Sequence, residues 1–98
     1  MTVWPEPIRF QWDAGNLHKN WVKHRVSNGE CEELFFDPHK RLLHLTQREE
    51  GELRYALIGR TKLERLLFVV FTVRGHTVRV ISARALNKRE RGLYEEAT

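Results

Sequence analysis

Between Arg41 and Arg84 the chain carries four strand-like runs, "RLLHLTQR", "ELRYALIGRT", "RLLFVVFTV" and "TVRVISAR", all but the third of which mix apolar with polar residues at near-alternate positions. Side chains change face at every residue of a strand, so this period marks half-buried strands rather than helices. The connections "EEGE", "KLE" and "RGH" are short and turn-like. A parallel crossover needs a dozen residues or more, so successive strands here must pair antiparallel, as a meander. The stretch "LLFVVF" is apolar on both faces, which places its strand at the centre of the sheet.

Upstream, "IRFQW" alternates and reads as a short strand. Asp13 is suited to cap a helix of about three turns over "DAGNLHKNWVKHR", with Leu17, Trp21 and His24 or Arg25 one turn apart. Ser27 followed by Glu30 matches a capping box for a second helix, with Val26 placed as its staple. Cys31, Leu34 and Phe35 share a face of that helix, and Asp37-Pro38 ends it. The tail "LNKRERGLYEEA" reads as a last short helix in which Gly92 is a weak point. The order strand, helix, helix, four strands, helix predicts an α+β fold: helices packed on one face of an antiparallel sheet. With 98 residues and neither a linker nor a repeat, residues 1–98 read as one domain.

The charge narrows the partners. Seventeen Lys and Arg against thirteen acidic residues give a net charge of +4, which favours nucleic acid or an acidic protein. Cys31 is the only cysteine, so no internal disulfide forms and a reducing cytoplasm fits. "MTVWPEPIRFQ" has neither region of a signal peptide, and "LLFVVFTV" is too short to span a bilayer, so no membrane role is expected. No phosphate loop, dinucleotide fingerprint or nucleophile elbow occurs. The only aspartates are Asp13 and Asp37, and no DxD or ExxH cluster exists. His18 and His24, six apart, do not share a helical face. Neither a metal site nor a cofactor is expected.

Phosphate chemistry without a metal remains open. It needs a proton-transfer group and cations that stabilise developing charge. Splitting each strand into faces puts His44, Thr46 and Arg48, then Arg54 and Arg60, then Arg79 on outward positions. If those faces align, the sheet shows solvent a basic surface containing His44, Arg54, Arg60 and Arg79. An ordinary half-exposed sheet with polar outer residues explains the same alternation. Lys23, His24 and Arg25 form a second basic cluster at a helix end, where cations also favour the helix dipole. RNA supplies its own nucleophile, the 2′-hydroxyl, so general acid/base residues and arginines suffice to cleave it.

"IRFQWDAGNLHKNWVKHRVSNGECEELFFD" resembles the F-W-D…N…KH-G-V-S…F-D opening of BrnT toxins. "RYALIGRT…LLFVVFTVRG…VRVISARALNKRERGLYEE" is similar to their second half. The block Ile81 to Arg84, with Lys88, Arg89, Glu90 and Tyr94 behind it, is its most specific part. The resemblance covers Ile8 to Glu96. It implies a RelE-like fold: a four- to five-stranded antiparallel sheet, two N-terminal helices on one face and a short C-terminal helix. It also implies the toxin of a bacterial type II toxin–antitoxin system, an endoribonuclease that needs no metal and inhibits translation. The implied partner is a BrnA-like antitoxin with a ribbon-helix-helix DNA-binding part, in a toxin–antitoxin heterotetramer. By position, His24 is the expected general acid/base beside Lys23, with Arg60, Arg79 and Arg84 on the scissile phosphate. His44, Arg48, Arg54, Ser82, Lys88 and Arg89 are expected to bind RNA, and Glu90 and Tyr94 to bind the antitoxin. The family pattern has glycine after its Lys-His pair, where this chain has Arg25. A left-handed cap there would strain Arg25 by roughly 1 kcal/mol. The alternatives are a non-catalytic basic module that holds an acidic protein or nucleic acid, and a DNA-binding regulator. The regulator is disfavoured because the basic residues lie mostly on strands.

Overall fold

The computed structural model describes residues 3, 4, 6–49 and 52–96, with the backbone alone for 44–49. The four strand-like runs form β1 (Arg41–Glu49), β2 (Glu52–Arg60), β3 (Leu66–Arg74) and β4 (Thr77–Ala85). They make one antiparallel meander, β1-β2-β3-β4, with β3 internal as its two apolar faces require. Tyr55, Phe71 and Val80 align across three strands, as do Leu57, Val69 and Ala83. Between these rows Ile58, Phe68 and Arg84 align toward the opposite face. A register shift next to Val70 leaves Ile81 as an extra residue on β4. That bulge keeps Val78, Val80 and Ala83 on one face despite their uneven spacing.

The first face is covered by α1 (Lys19–His24) and α2 (Asn28–Leu34). The expected capping box is present. Glu30 N–H donates to the Ser27 hydroxyl at 3.1 Å, and Ser27 N–H donates to the Glu30 carboxylate at 2.9 Å. Val26, Cys31, Leu34 and Phe35 are buried against Leu57, Val69, Phe71 and Val80. Phe35 is the hub: its ring lies 5.0 Å from Trp4, 5.1 Å from Phe10 and 5.0 Å from Phe71, each edge to face.

The first helix is shorter than the sequence predicts. Asp13 caps a turn instead: its carboxylate accepts from Gly15 N–H at 2.9 Å, and its carbonyl from Asn16 and Leu17 N–H. His18 is left-handed, with φ 61°, so the helix cannot pass through it and begins at Lys19. The expected strand at Ile8–Trp12 reduces to a parallel bridge between Phe10 and Val78. Beyond that bridge, side chains complete the edge of β4. Asn16 Nδ2 donates to Val80 O at 3.1 Å, and Ala83 N–H donates to Asn20 Oδ1 at 2.9 Å. The two asparagines are four positions apart, so both side chains can reach the same strand from neighbouring turns.

α3 (Lys88–Glu96) lies on the other face, so the helices do not all share one side. Its Leu93 and Tyr94 pack with Ile58, Leu66 and Phe68, which point away from α2. Asn87 caps α3 in the way Ser27 caps α2. Glu90 N–H donates to Asn87 Oδ1 at 2.8 Å, and Asn87 N–H donates to Glu90 Oε1 at 3.0 Å.

Asp37 joins the two layers. It is buried, and its carboxylate accepts from His39 N–H at 2.9 Å, Arg60 N–H at 2.8 Å and the Tyr94 hydroxyl at 2.7 Å. The end of α2, the end of β2 and α3 therefore meet on one carboxylate. Gly59 permits this approach, because a Cβ there would sit 3.1 Å from Leu34 Cγ and 3.3 Å from Asp37 Oδ2. Burial raises the Asp37 pKa, but the three donors outweigh it and hold the carboxyl below its ordinary value. Burial and the Asp37 charge push the Tyr94 phenol up to about 12.

Two outcomes test this packing. Phe35→Ala should cost about 3–5 kcal/mol in denaturant unfolding, since it empties the aromatic hub; a loss under about 1 kcal/mol contradicts the hub. Asp37→Asn turns one acceptor oxygen into a donor facing other donors, and should cost about 2–3 kcal/mol. The wild-type Asp37 term is complete above the unfolded carboxyl value of about 4 and is lost as pH falls through the depressed folded value. Melting temperatures between pH 6 and pH 3 should fall less steeply for Asp37→Asn than for wild type, and parallel curves would refute the assignment.

Candidate functional site

Cations gather at one end of the sheet, where β2 stops, β3 begins and β4 leaves for α3. Arg60 closes β2 and pairs with Leu66. Its N–H is fixed on Asp37, while its guanidinium lies over the Tyr94 ring at 5.5 Å. Its nearest carboxylate partner is exposed Glu64 at 4.0 Å, an ion pair worth little in water. The Arg60 side chain thus has a defined base and an accessible head.

Arg65 brings α1 to the same end. Its guanidinium donates to His24 O at 3.1 Å and to Arg25 O at 2.6 Å, and it pairs with the Glu30 carboxylate at 3.2 Å. These carbonyls are among those a helix C-terminus leaves without partners. Arg25 itself is left-handed, with φ 54° and ψ 39°, so it takes the strained conformation that a glycine would adopt without cost. Its guanidinium lies 5.4 Å from the Trp21 ring centroid. Lys23 and His24 project from this anchored end and are exposed. Among the described residues no side chain hydrogen-bonds the Lys23 ammonium or the His24 imidazole. Cations near a helix C-terminus are favourable there, so the cluster costs the fold little.

Arg84 aligns with Phe68, close to the same end, and stacks on that ring at 4.2 Å. It is bidentate on Glu90, at 2.7 and 2.8 Å, which raises its own pKa and lowers that of Glu90. Ser82 lies further in, opposite Val70, and is half-buried. Lys88 and Arg89 are exposed in the first turn of α3, next to Arg84 in the chain.

The remaining predicted residues lie elsewhere. Arg79 pairs with Thr72, six positions along β3 from Leu66, on the order of 20 Å at a strand rise of about 3.3 Å. The structure therefore does not bring Arg79 beside Arg60, as the sequence reading expects. Arg79 binds the Asp13 carboxylate through both nitrogens, at 2.6 and 2.9 Å, with a side chain only 13% exposed, and so pins the N-terminal segment to β4. That partner also depresses the Asp13 pKa. Arg54 lies in this far half as well. His44 and Arg48 pair there through backbone with Tyr55 and Leu53, and their side chains lie outside the described residues. The expected single basic face is in fact apolar through Ala56, Ile58, Phe68 and Val70, and α3 covers part of it.

Glu90 and Tyr94 are 9% and 1% exposed and serve α3 itself, one as cap and ion pair, the other on Asp37. Any partner of α3 must meet other side chains. The sequence reading missed Arg65 and Asp37. Their partners lie far away in the chain, so no local pattern marks them. The Asn87 cap was missed too, although Asn-x-x-Glu is a local pattern that could have signalled it.

An open groove of about 510 Å³ runs beside the same end, between α2 and the β2–β3 connection. Glu32, Glu33, Phe36, Pro38, Arg60 and Lys62 line it. Its carboxylates are engaged: Trp12 Nε1 donates to Glu32 at 2.7 Å, and Lys62 N–H donates to Glu33 at 3.0 Å. At this end Arg60 and Arg84 lie toward the α3 face, on Tyr94 and Phe68, while Arg65 holds the end of α1 with Lys23 and His24 on the other face.

No curated protein matches the chain. A family model described as a ribonuclease toxin, BrnT, of type II toxin-antitoxin systems matches residues 12–90. The match takes in both N-terminal helices, the whole sheet and the turn that caps α3, and such systems include an antitoxin partner. Over most of its length, then, the chain belongs to the BrnT family of ribonuclease toxins of type II toxin–antitoxin systems.

Proposed function

We propose that this chain is a metal-independent endoribonuclease whose site is the cationic end of the sheet. The observation that carries the proposal is the anchoring of His24 and Lys23, through Arg65, at the sheet end that also holds Arg60 and Arg84. The substrate's 2′-hydroxyl attacks the adjacent phosphorus, and the bond to the 5′-oxygen breaks. His24 takes the 2′ proton and returns one to the leaving 5′-oxygen, giving a 2′,3′-cyclic phosphate and a 5′-hydroxyl. Lys23 and Arg60 offset charge on the phosphate oxygens as it develops. Arg84 joins them when its pairing with Glu90 yields to phosphate, while Lys88 and Arg89 bind the flanking backbone. Arg79 has weaker support for a direct role, because its guanidinium is committed to Asp13.

The proposed antitoxin is of the BrnA type and meets the exposed cations of α3. Deleting α3 cannot test this, because Tyr94 and Glu90 would go with it. In the toxin–antitoxin complex, Lys88→Glu with Arg89→Glu should weaken affinity about tenfold while leaving the melting temperature of the toxin within about 2 °C; unchanged affinity would remove α3 from the interface.

Cleavage of RNA by purified protein should persist in EDTA. His24→Ala should lower the single-turnover rate about 10²–10⁴-fold and Arg60→Ala about 10²–10³-fold, with Arg79→Ala acting mainly on stability. Dependence on an added divalent ion, or full activity in both of the first two variants, would sink the mechanism. If the wild type binds RNA and never cuts it, a non-catalytic basic module is the better description.

A further inference from the structure

Sixteen residues, 14–29, contain three Lys or Arg, two His and no carboxylate. In their midst Trp21 is 46% exposed. The other two tryptophans have structural tasks: Trp4 is buried against Phe35 and Phe71, and Trp12 donates its indole N–H to Glu32. Trp21 has neither task. The Arg25 guanidinium lies over its ring, and a pocket of about 390 Å³ opens beside it, lined by His18, Trp21, Ser27 and Asn28.

We propose that Trp21 and this pocket form a nucleobase subsite, in which an unpaired RNA base stacks on the indole while its flanking phosphates lie along Lys23, His24 and Arg25. The inference rests on the ribonuclease reading and extends it to how the strand is held. Unpaired bases are bound by stacking on aromatic side chains and arginine planes within a positively charged track, and both elements are present here. Apart from the indole, the pocket is lined by hydrogen-bonding side chains, His18, Ser27 and Asn28, which suit the edge of a base. The groove at Phe36 and Pro38 bears the carboxylates of Glu32 and Glu33, which repel a nucleic-acid strand and suit a protein segment better. Trp21 and His24 are three positions apart on neighbouring turns of α1, so stacking at Trp21 would bring the strand beside the proposed proton-transfer group.

The probe is a fluorescein-labelled single-stranded oligoribonucleotide with every 2′-oxygen methylated, which cannot undergo the cleavage step. Anisotropy titrations of wild type, Trp21→Ala and Trp21→Phe at fixed salt read the subsite. Trp21→Ala should weaken binding at least about fivefold, Trp21→Phe should stay within about threefold of wild type, and thermal melts should show all three folded. Equal binding by Trp21→Ala overturns the subsite. Loss of antitoxin affinity in Trp21→Ala, with oligonucleotide binding unchanged, also overturns it and makes the patch a protein-docking face. Cleavage of unmodified RNA by wild type is measured in parallel. If wild type cuts RNA and Trp21→Ala binds as well as wild type, the subsite alone fails; if wild type neither binds nor cuts, the ribonuclease reading fails with it.

Discussion

The Asp37 carboxylate is the point on which the two layers of the molecule depend. A buried charge is tolerated only when donors surround it, and three do: the N–H of His39, the N–H of Arg60 and the hydroxyl of Tyr94. Each comes from a different part of the chain. The carboxylate therefore orients α3 against the outer face, fixes the backbone at the end of β2 and closes the loop after α2. Arg60 inherits its position from this arrangement. Its main chain is held by Asp37 and its side chain rests on Tyr94, so this cation is placed by the same residues that hold the fold.

Several of the cationic side chains are engaged within the fold. Arg79 holds Asp13, Arg84 holds Glu90, and Arg65 holds Glu30 with the last carbonyls of α1. These pairs tie the N-terminal segment, α3 and α1 to the sheet. Lys23, His24 and Arg60 keep exposed side chains at one end. A phosphate is best held by cations that the fold has not already neutralised. Arg84 stands between the two groups: it is stacked on Phe68 and paired with Glu90, but lies at the same end.

Local patterns were legible in the sequence, and contacts between distant residues were not. Strand-like runs and short turns gave all four strands and their meander, and Ser27 with Glu30 gave the start of α2. The length of α1 was misread because Asp13 looks the same whether it caps a helix or a turn, and only the left-handed His18 decides. The side on which α3 packs was not legible, because it is set by Tyr94 reaching Asp37 across 57 positions. The expectation that Arg60 and Arg79 lie together failed for a related reason. Alternation assigns a residue to a face but does not say how far along the sheet it lies, and here Arg79 is also turned toward Asp13. The resemblance named the family, and register then separated the residues at one end from those at the other.

The central claim is that RNA meets the cationic end of the sheet and not its far half. A ¹H–¹⁵N NMR titration of the protein with an uncleavable single-stranded oligoribonucleotide tests this most directly. The account predicts that shift changes concentrate in residues 19–25, 60–66 and 84–89. Changes concentrated instead in residues 52–55 and 72–80, around Arg54 and Arg79, would contradict it.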